Sequence, residues 1–373
     1  MEVPLIDLKI HNQAIKKEIF QLWDEIFDSA SFVGGEHVAG FEAEFATACD
    51  AQHCVSVNSG TDALRFIFLA LGLRPGDEVI TVPNTFIGTT EAISQAGGKI
   101  VFVDVDPVTY TMNPEKLELA ITSRTKGIVP VHIFGHTADM DLILAMSEKY
   151  GLWVVEDGCQ AHLAEYKGRK AGSIGIAGAF SFYPSKNMGA CGEAGAVTTN
   201  VAELAAKVHM LRDHGQEDRY CHEMEGYNGR CDALQAAALR IKLKYLPAWN
   251  EARRKNAYLY MRKLESFDGI GLPKVSEDCL AVFHQFVVQL DNRDEIAAAL
   301  REDGISTGCH YPIPLHFQQA YAHMELSPGS FPVAESCAER FLSLPMFPEL
   351  TTEQIVYVSE RLKVAMEKVA GKR

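Results

Sequence analysis

The chain has 373 residues, 47% of them hydrophobic and 23% charged, an ordinary globular composition with room for one large unit and one smaller one. A formal net charge of −14 argues against general affinity for nucleic acid or for an acidic membrane surface. No apolar run approaches the roughly 20 residues of a membrane-spanning helix, and residues 1–13 carry no signal-peptide pattern, so a cytoplasmic protein is expected. Nine cysteines form no C-x-x-C pair, and thirteen histidines form no H-E-x-x-H pattern. Neither a disulfide framework nor a metal site is expected.

Residues 11–28 carry Ile15, Ile19, Leu22 and Ile26 on one face of an amphipathic helix. A strand-and-helix rhythm follows. Strands are expected at 53–57, 78–82, 99–105, 127–133, 152–157, 177–183 and 195–200, with helices at 62–73, 88–96, 114–121 and 139–149. Several of these strands are β-branched apolar runs, as befits strands covered on both faces. The alternation predicts an α/β unit with a mostly parallel sheet. The rhythm changes near residue 250. A helix at 247–267, strands at 281–290 and 305–311, and helices at 293–303 and 352–369 predict a smaller α+β unit. The division falls between 245 and 255, giving a large unit of 1–248 with an N-terminal helix and a small unit of 249–373.

Three segments carry chemistry. In "VNSGTDAL" (57–64) a strand ends, small polar residues follow and a helix begins. Free backbone N–H groups and the helix dipole suit an anion there, or Ser59 or Thr61 simply caps the helix. In "LWVVEDGCQAH" (152–162) Asp157 ends a strand where open α/β sheets place ligand sites. A carboxylate buried there needs a cationic or N–H partner, such as a protonated pyridine nitrogen, or else it caps the next helix. In "FSFYPSKNMGACGEAGAVTTN" (180–200) Lys186 follows an aromatic run and precedes a glycine-rich turn. A partly desolvated lysine has a lowered pKa and can attack a carbonyl to form a Schiff base. A lysine paired with a carboxylate or phosphate is the alternative. Together, in this order, the three segments supply the protein parts of a pyridoxal 5′-phosphate (PLP) site.

With these go "GYNGRCDALQAA" (226–237) and "HYPIPLH" (310–316). The five segments together resemble the DegT-type sugar aminotransferases, and the likeness spans almost the whole chain. The resemblance implies the three-layer, aspartate-aminotransferase-like fold (fold type I) with PLP as cofactor and pyridoxamine 5′-phosphate as its aminated form. It implies that Lys186 forms the Schiff base and that Asp157 keeps the pyridine nitrogen protonated. Gln160 would lie against the ring or its 3′-oxygen, and Phe86, in "VPNTFIGTT", would stack on it unless it is a core residue. Ser59, Gly60, Thr61 and Ser181 would bind the phosphate. Asn228 would reach the cofactor phosphate of a partner subunit, which implies a homodimer with shared active sites. Arg230 would serve either substrate phosphate or a structural ion pair. His310, Tyr311 and His316 would border the substrate pocket, with core or surface roles open for each.

The chain departs from that pattern at Gly158-Cys159, at Ser185 and at "GEAG" (192–195), which shape the loops around the site without removing a catalytic group. The activity implied is transfer of an amino group from an amino acid, typically L-glutamate, to a nucleotide-linked keto-sugar at C3 or C4. A sugar dehydratase of the same fold is disfavoured because that activity goes with histidine where this chain has Lys186. A non-catalytic regulatory homologue is the other alternative.

Overall fold

The computed structural model describes residues 1–371. Its centre is a seven-stranded sheet of β1 His53–Val57, β2 Glu78–Thr81, β3 Lys99–Phe102, β4 Thr125–Ile128, β5 Trp153–Asp157, β6 Ala177–Ser181 and β7 Gly195–Thr199. Their spatial order is β1-β7-β6-β5-β4-β2-β3. The run from β6 to β3 is parallel throughout, and β7 lies antiparallel to both β6 and β1. The expected mostly parallel sheet is therefore formed.

Side chains on a strand alternate between its two faces, and successive residues here enter different cores. Val79, Val155 and Val197 pack on one face, whereas Ile80, Val154 and Ala196 pack on the other. Helices Gly60–Ala70, Ile87–Gln95 and Ala202–Arg212 cover the first face. Helices Lys9–Ser29, Gly35–Ala48, Met140–Tyr150 and the first half of Ala233–Leu264 cover the second. Three layers result, because strands apolar on both sides need a helix on each. Local signals set several boundaries. Ser59 caps Gly60–Ala70 by accepting from the Asp62 N–H, and Asp139 caps Met140–Tyr150, which ends at Gly151 in the left-handed region.

The expected helix at 247–267 is the far half of one 32-residue helix, Ala233–Leu264, with Pro247 inside it. Proline favours a helix start, but tertiary packing of Ala236, Ala237 and Leu239 against the large unit carries the helix through it. Its far half contributes Ala257, Tyr260 and Leu264 to the core of the small unit. That unit holds a three-stranded sheet, Ile270–Gly271, Phe286–Leu290 and Phe341–Leu344, backed by helices Arg293–Glu302 and Thr352–Ala370. Val3 joins the same core and bridges Ile305, so the first residues of the chain pack with the small unit.

The expected strand at 305–311 is not formed. Ile305 meets Val3 and Gly308 meets Ser343 as isolated bridges, because the segment crosses from one neighbour to the other without running beside either. The segment at 127–133 also differs. Strand β4 stops at Ile128, Val131 makes a single bridge to Asp157, and Ile133–Gly135 forms a short turn. That turn docks the small unit. Val282 N–H donates to the Gly135 carbonyl at 2.9 Å, and Gln285 N–H to the Phe134 carbonyl at 3.4 Å.

Candidate active site

A cavity of about 510 Å³ opens at the C-terminal ends of the parallel strands, where the small unit closes over the sheet. Such sheet ends are where α/β folds place ligands. The cavity is lined by Ser59, Gly60, Thr61, Phe86, Asp157, Gln160, Ser181, Lys186, His310 and Tyr311. Thus residues from five separate sequence segments meet in one space. Asn228, Arg230 and His316 are not among its lining.

The floor presents free backbone donors. Ser59 Oγ accepts from Asp62 N–H at 3.1 Å, so it caps the helix as one of the two sequence alternatives held. The N–H groups of Gly60 and Thr61 precede the first helical hydrogen bond and have no acceptor among the described residues. A Cβ at Gly60 would stand 2.7 Å from Ser181 Cβ and 2.8 Å from Cys159 Sγ, so only glycine lets these walls meet. A Cβ at Gly195 would lie 2.2 Å from the Ser59 carbonyl oxygen. One glycine of the loop after Lys186 therefore lets β7 pass directly behind these donors.

Asp157, at the end of β5, is 5% exposed and is held by two donors. Thr89 Oγ1–H donates to Oδ2 at 2.7 Å and Cys159 N–H to Oδ1 at 3.2 Å. Thr85 stands 2.8 Å from Thr89, whose proton is already committed, so Thr85 donates to Thr89. Lys186 has no hydrogen bond or ion pair at Nζ among the described residues, and Asp157 is not within salt-bridge distance of it. Loss of hydration holds its ammonium below the ordinary lysine range, against the opposing pull of the Cys159 and Asp157 groups. An unpaired, poorly hydrated amine opening into a cavity is the state a nucleophile or base requires. The paired-lysine alternative is not what the structure contains.

Phe86 caps helix Ile87–Gln95 without a side-chain bond and is 54% exposed, its ring 6.0 Å from that of Tyr311. It is therefore a wall of the cavity and not a core residue. Gln160 Oε1 accepts from Phe134 N–H at 2.7 Å, and its Nε2 lies 3.4 Å from the Tyr311 hydroxyl. Burial raises the Tyr311 phenol well above its usual range. Burial, with the Lys186 charge, lowers His310 to about 4 and His162 to about 3, so both rings are neutral near pH 7.

The remaining expected residues lie elsewhere. His316 is 3% exposed between Phe317 and Phe331, with Nε2 at 3.2 Å from Glu335 Oε1. That packing corrects the expected placement beside the substrate pocket. Arg230 makes the structural alternative, an ion pair with Asp213. Asn228 is exposed on the surface. Sequence reasoning missed Thr89, Glu193, His284 and Gln285, all of which line the cavity. Thr89 lies in the quoted "VPNTFIGTT" and Glu193 in the departing "GEAG", so each carried a local signal. His284 and Gln285 carried none.

A model of the DegT/DnrJ/EryC1/StrS aminotransferase family matches residues 13–363. The chain belongs to that family. This aminotransferase is 45% identical to a UDP-N-acetyl-3-dehydro-alpha-D-glucosamine 3-aminotransferase of Acidithiobacillus ferrooxidans, over 96% of both chains. It is 43% identical to a pleiotropic regulatory protein of Geobacillus stearothermophilus, over 97% of this chain and 98% of the other. Its fold matches the crystal structure of Streptomyces venezuelae DesV in complex with a ketimine intermediate, with a TM-score of 0.96 and 42% identity over 98% of this chain and 99% of that one. The likeness covers both units. Among the described residues no helix is long and apolar enough to cross a membrane, and no cluster of metal-ligating side chains occurs.

Proposed function

We propose that this aminotransferase moves an amino group from L-glutamate to a nucleotide-linked keto-sugar of the deoxyhexose type, for amino-sugar biosynthesis, with PLP as cofactor. The observation that carries the reading is Lys186, whose free amine opens into the same cavity as the free backbone donors and Asp157. The cavity fits the cofactor's chemistry: unpartnered N–H groups for a phosphate, a carboxylate for a pyridinium, an exposed aromatic face and an amine for an aldehyde. The named activity of the Acidithiobacillus relative supports the substrate class. Nine unpaired cysteines support a reducing, cytoplasmic setting.

When bound, PLP supplies a ring that accepts electron density from the carbon being deprotonated. Gly60 and Thr61 would bind its phosphate through their N–H groups, with the Ser59 and Ser181 hydroxyls beside them. Phe86 would cover the ring and Gln160 would border its edge. Asp157, oriented by Thr89 and Cys159, would hold the ring nitrogen through its carboxylate. Lys186 Nζ would take the proton from the donor carbon that bears the amino group and, in the second half-reaction, would deliver one to the sugar carbon that receives the amine. His310 and Tyr311, which line the same cavity, would wall the substrate end. Asn228 would complete the phosphate site of a partner subunit in a homodimer.

The test is borohydride reduction of the purified protein followed by peptide mass spectrometry. The cofactor is expected on Lys186, and an adduct on any other lysine overturns the assignment. Lys186→Ala is expected to lower turnover by about 10²–10⁴-fold or more. A panel of UDP- and dTDP-linked 3-keto and 4-keto sugars with glutamate, read as 2-oxoglutarate, then names the acceptor. The name of the Geobacillus relative favours a second reading, a regulator that keeps the fold. Turnover on any member of the panel rules that reading out as the whole function.

A further inference from the structure

His284 and Gln285 stand just before strand Phe286–Leu290 of the small unit, and both line the cavity. They are 5% and 6% exposed. Asn187, the residue after Lys186, sets the state of His284. Its Nδ2 lies 2.9 Å from the Val282 carbonyl oxygen and 2.9 Å from Asn250 Oδ1. A backbone carbonyl only accepts, so this end of the amide is the NH₂ and the other end is the oxygen. His284 Nδ1 lies 3.3 Å from that oxygen and must carry the ring proton. Burial, together with the nearby charges of Lys186 and Arg253, holds the ring well below the usual histidine range, so it is neutral.

A neutral ring protonated at Nδ1 has a lone pair on Nε2. That atom has no hydrogen-bond partner among the described residues, and it is not sealed from the cavity. The Gln285 side-chain amide likewise has no partner among the described residues. Both side chains are more than nine-tenths buried, and leaving such groups dry would cost about 1–3 kcal/mol each. Their chemistry also selects what they meet. A lone pair on Nε2 repels phosphate, carboxylate and ketone oxygens and accepts from a hydroxyl.

We propose that His284 Nε2 and the Gln285 amide bind hydroxyl groups on the ring of the acceptor sugar and so determine which sugars this enzyme takes. This rests on the nucleotide-sugar reading above. The arrangement is anchored independently of substrate. Arg253, on the long helix, donates to the carbonyls of Phe283, His284 and Met346 at 3.2–3.4 Å, and Gly135 packs against the backbone nitrogens of Phe283 and His284.

The test compares the PLP-loaded wild type with His284→Phe, His284→Gln and Gln285→Leu by calorimetric titration. The probes are UDP-N-acetylglucosamine against UDP, and dTDP-glucose against dTDP. His284→Phe and Gln285→Leu are expected to weaken binding of the sugar-bearing probe by about 10-fold or more, while affinity for the bare nucleotide stays within about twofold. His284→Gln keeps a carbonyl acceptor near the Nε2 position and is expected to recover part of the loss. The half-reaction with L-glutamate, followed by the cofactor absorbance, should stay within about twofold in all three. Equal losses for sugar-bearing and bare nucleotides overturn the proposal, as does an equally slowed glutamate half-reaction, which would assign His284 to Lys186. A wild type that binds none of the four probes overturns the nucleotide-sugar reading, and the proposal falls with it.

Discussion

Thr85 donates to Thr89 and Thr89 to the Asp157 carboxylate, so the hydrogen bonds run one way. Removing one partner of a buried hydrogen bond costs about 1–3 kcal/mol, and this bond also sets the direction in which the carboxylate faces. Thr89→Val is therefore expected to lower kcat/KM by about 10- to 100-fold through Asp157, while Thr89→Ser recovers most of it. Steady-state kinetics of the pair decide the point, since a merely structural threonine would not be rescued by the hydroxyl alone. The outcome also bears on what a sequence shows. Asp157 and Lys186 were legible because a carboxylate at a strand end and a lysine before a glycine-rich turn are unusual settings. Thr89 was not, because a threonine at the start of a helix looks like any other until the fold sets it against the Asp157 carboxylate.

At the scale of elements, the turn Ile133–Gly135 joins the two units, and its glycine is constrained twice. Gly135 has φ +90°, and a Cβ there would stand 2.9 Å from Val282 Cγ2 and 3.0 Å from the backbone nitrogens of Phe283 and His284. Gly135→Ala is expected to destabilise the protein by about 1–3 kcal/mol. It should also raise KM for the keto-sugar more than it changes the glutamate half-reaction, because the displaced segment carries His284 and Gln285. Thermal unfolding and half-reaction kinetics measure the two effects separately. The long helix acts at the same scale. Its near half packs on the sheet and its far half builds the small core, so one rigid element spans both. Sequence patterning placed a boundary near its middle because Pro247 interrupts the local signal, and only packing on both sides carries the helix through.

At the scale of the molecule, buried neutral histidines govern the acid limit of stability. His162 and His310 are held at about 3 and about 4, and burial also lowers His136, His284 and His316. In the unfolded chain these rings take up protons from about pH 6.5 downward, whereas in the fold they do so only at lower pH. The unfolded state then binds more protons, so stability falls as pH drops from about 6.5 toward 4, by up to about 1.4 kcal/mol per pH unit for each such ring. Carboxylates held below their usual range, such as Asp213 and Glu335, extend the loss to lower pH. Urea unfolding at pH 7.5, 6 and 5 is expected to give a steadily falling midpoint, and a flat profile would contradict the burial of these rings. Assembly is tested at the same scale. Phe27, Val33 and Tyr220 are large apolar side chains that stand 62%, 61% and 79% exposed. If Asn228 serves the partner's site, mixing inactive Lys186→Ala with impaired Asn228→Ala should restore activity in the hybrid dimer, which carries one intact site. Activity no greater than that of Asn228→Ala alone would place Asn228 outside the shared site.

The sequence by itself determined the α/β class and the succession of strands and helices along the chain, and it singled out Ser59–Thr61, Asp157 and Lys186 as candidates. Each is a local pattern: apolar runs of strand length, small residues at a strand–helix junction, and a charged side chain in an apolar setting. Tertiary structure alone decided that His316 is packed away beside Glu335, that Arg230 pairs with Asp213, and that residues 305–311 cross between neighbours without forming a strand. It alone brought His284 and Gln285 to the cavity. Those outcomes depend on which distant segments meet, and a contact between units leaves no periodicity in either one.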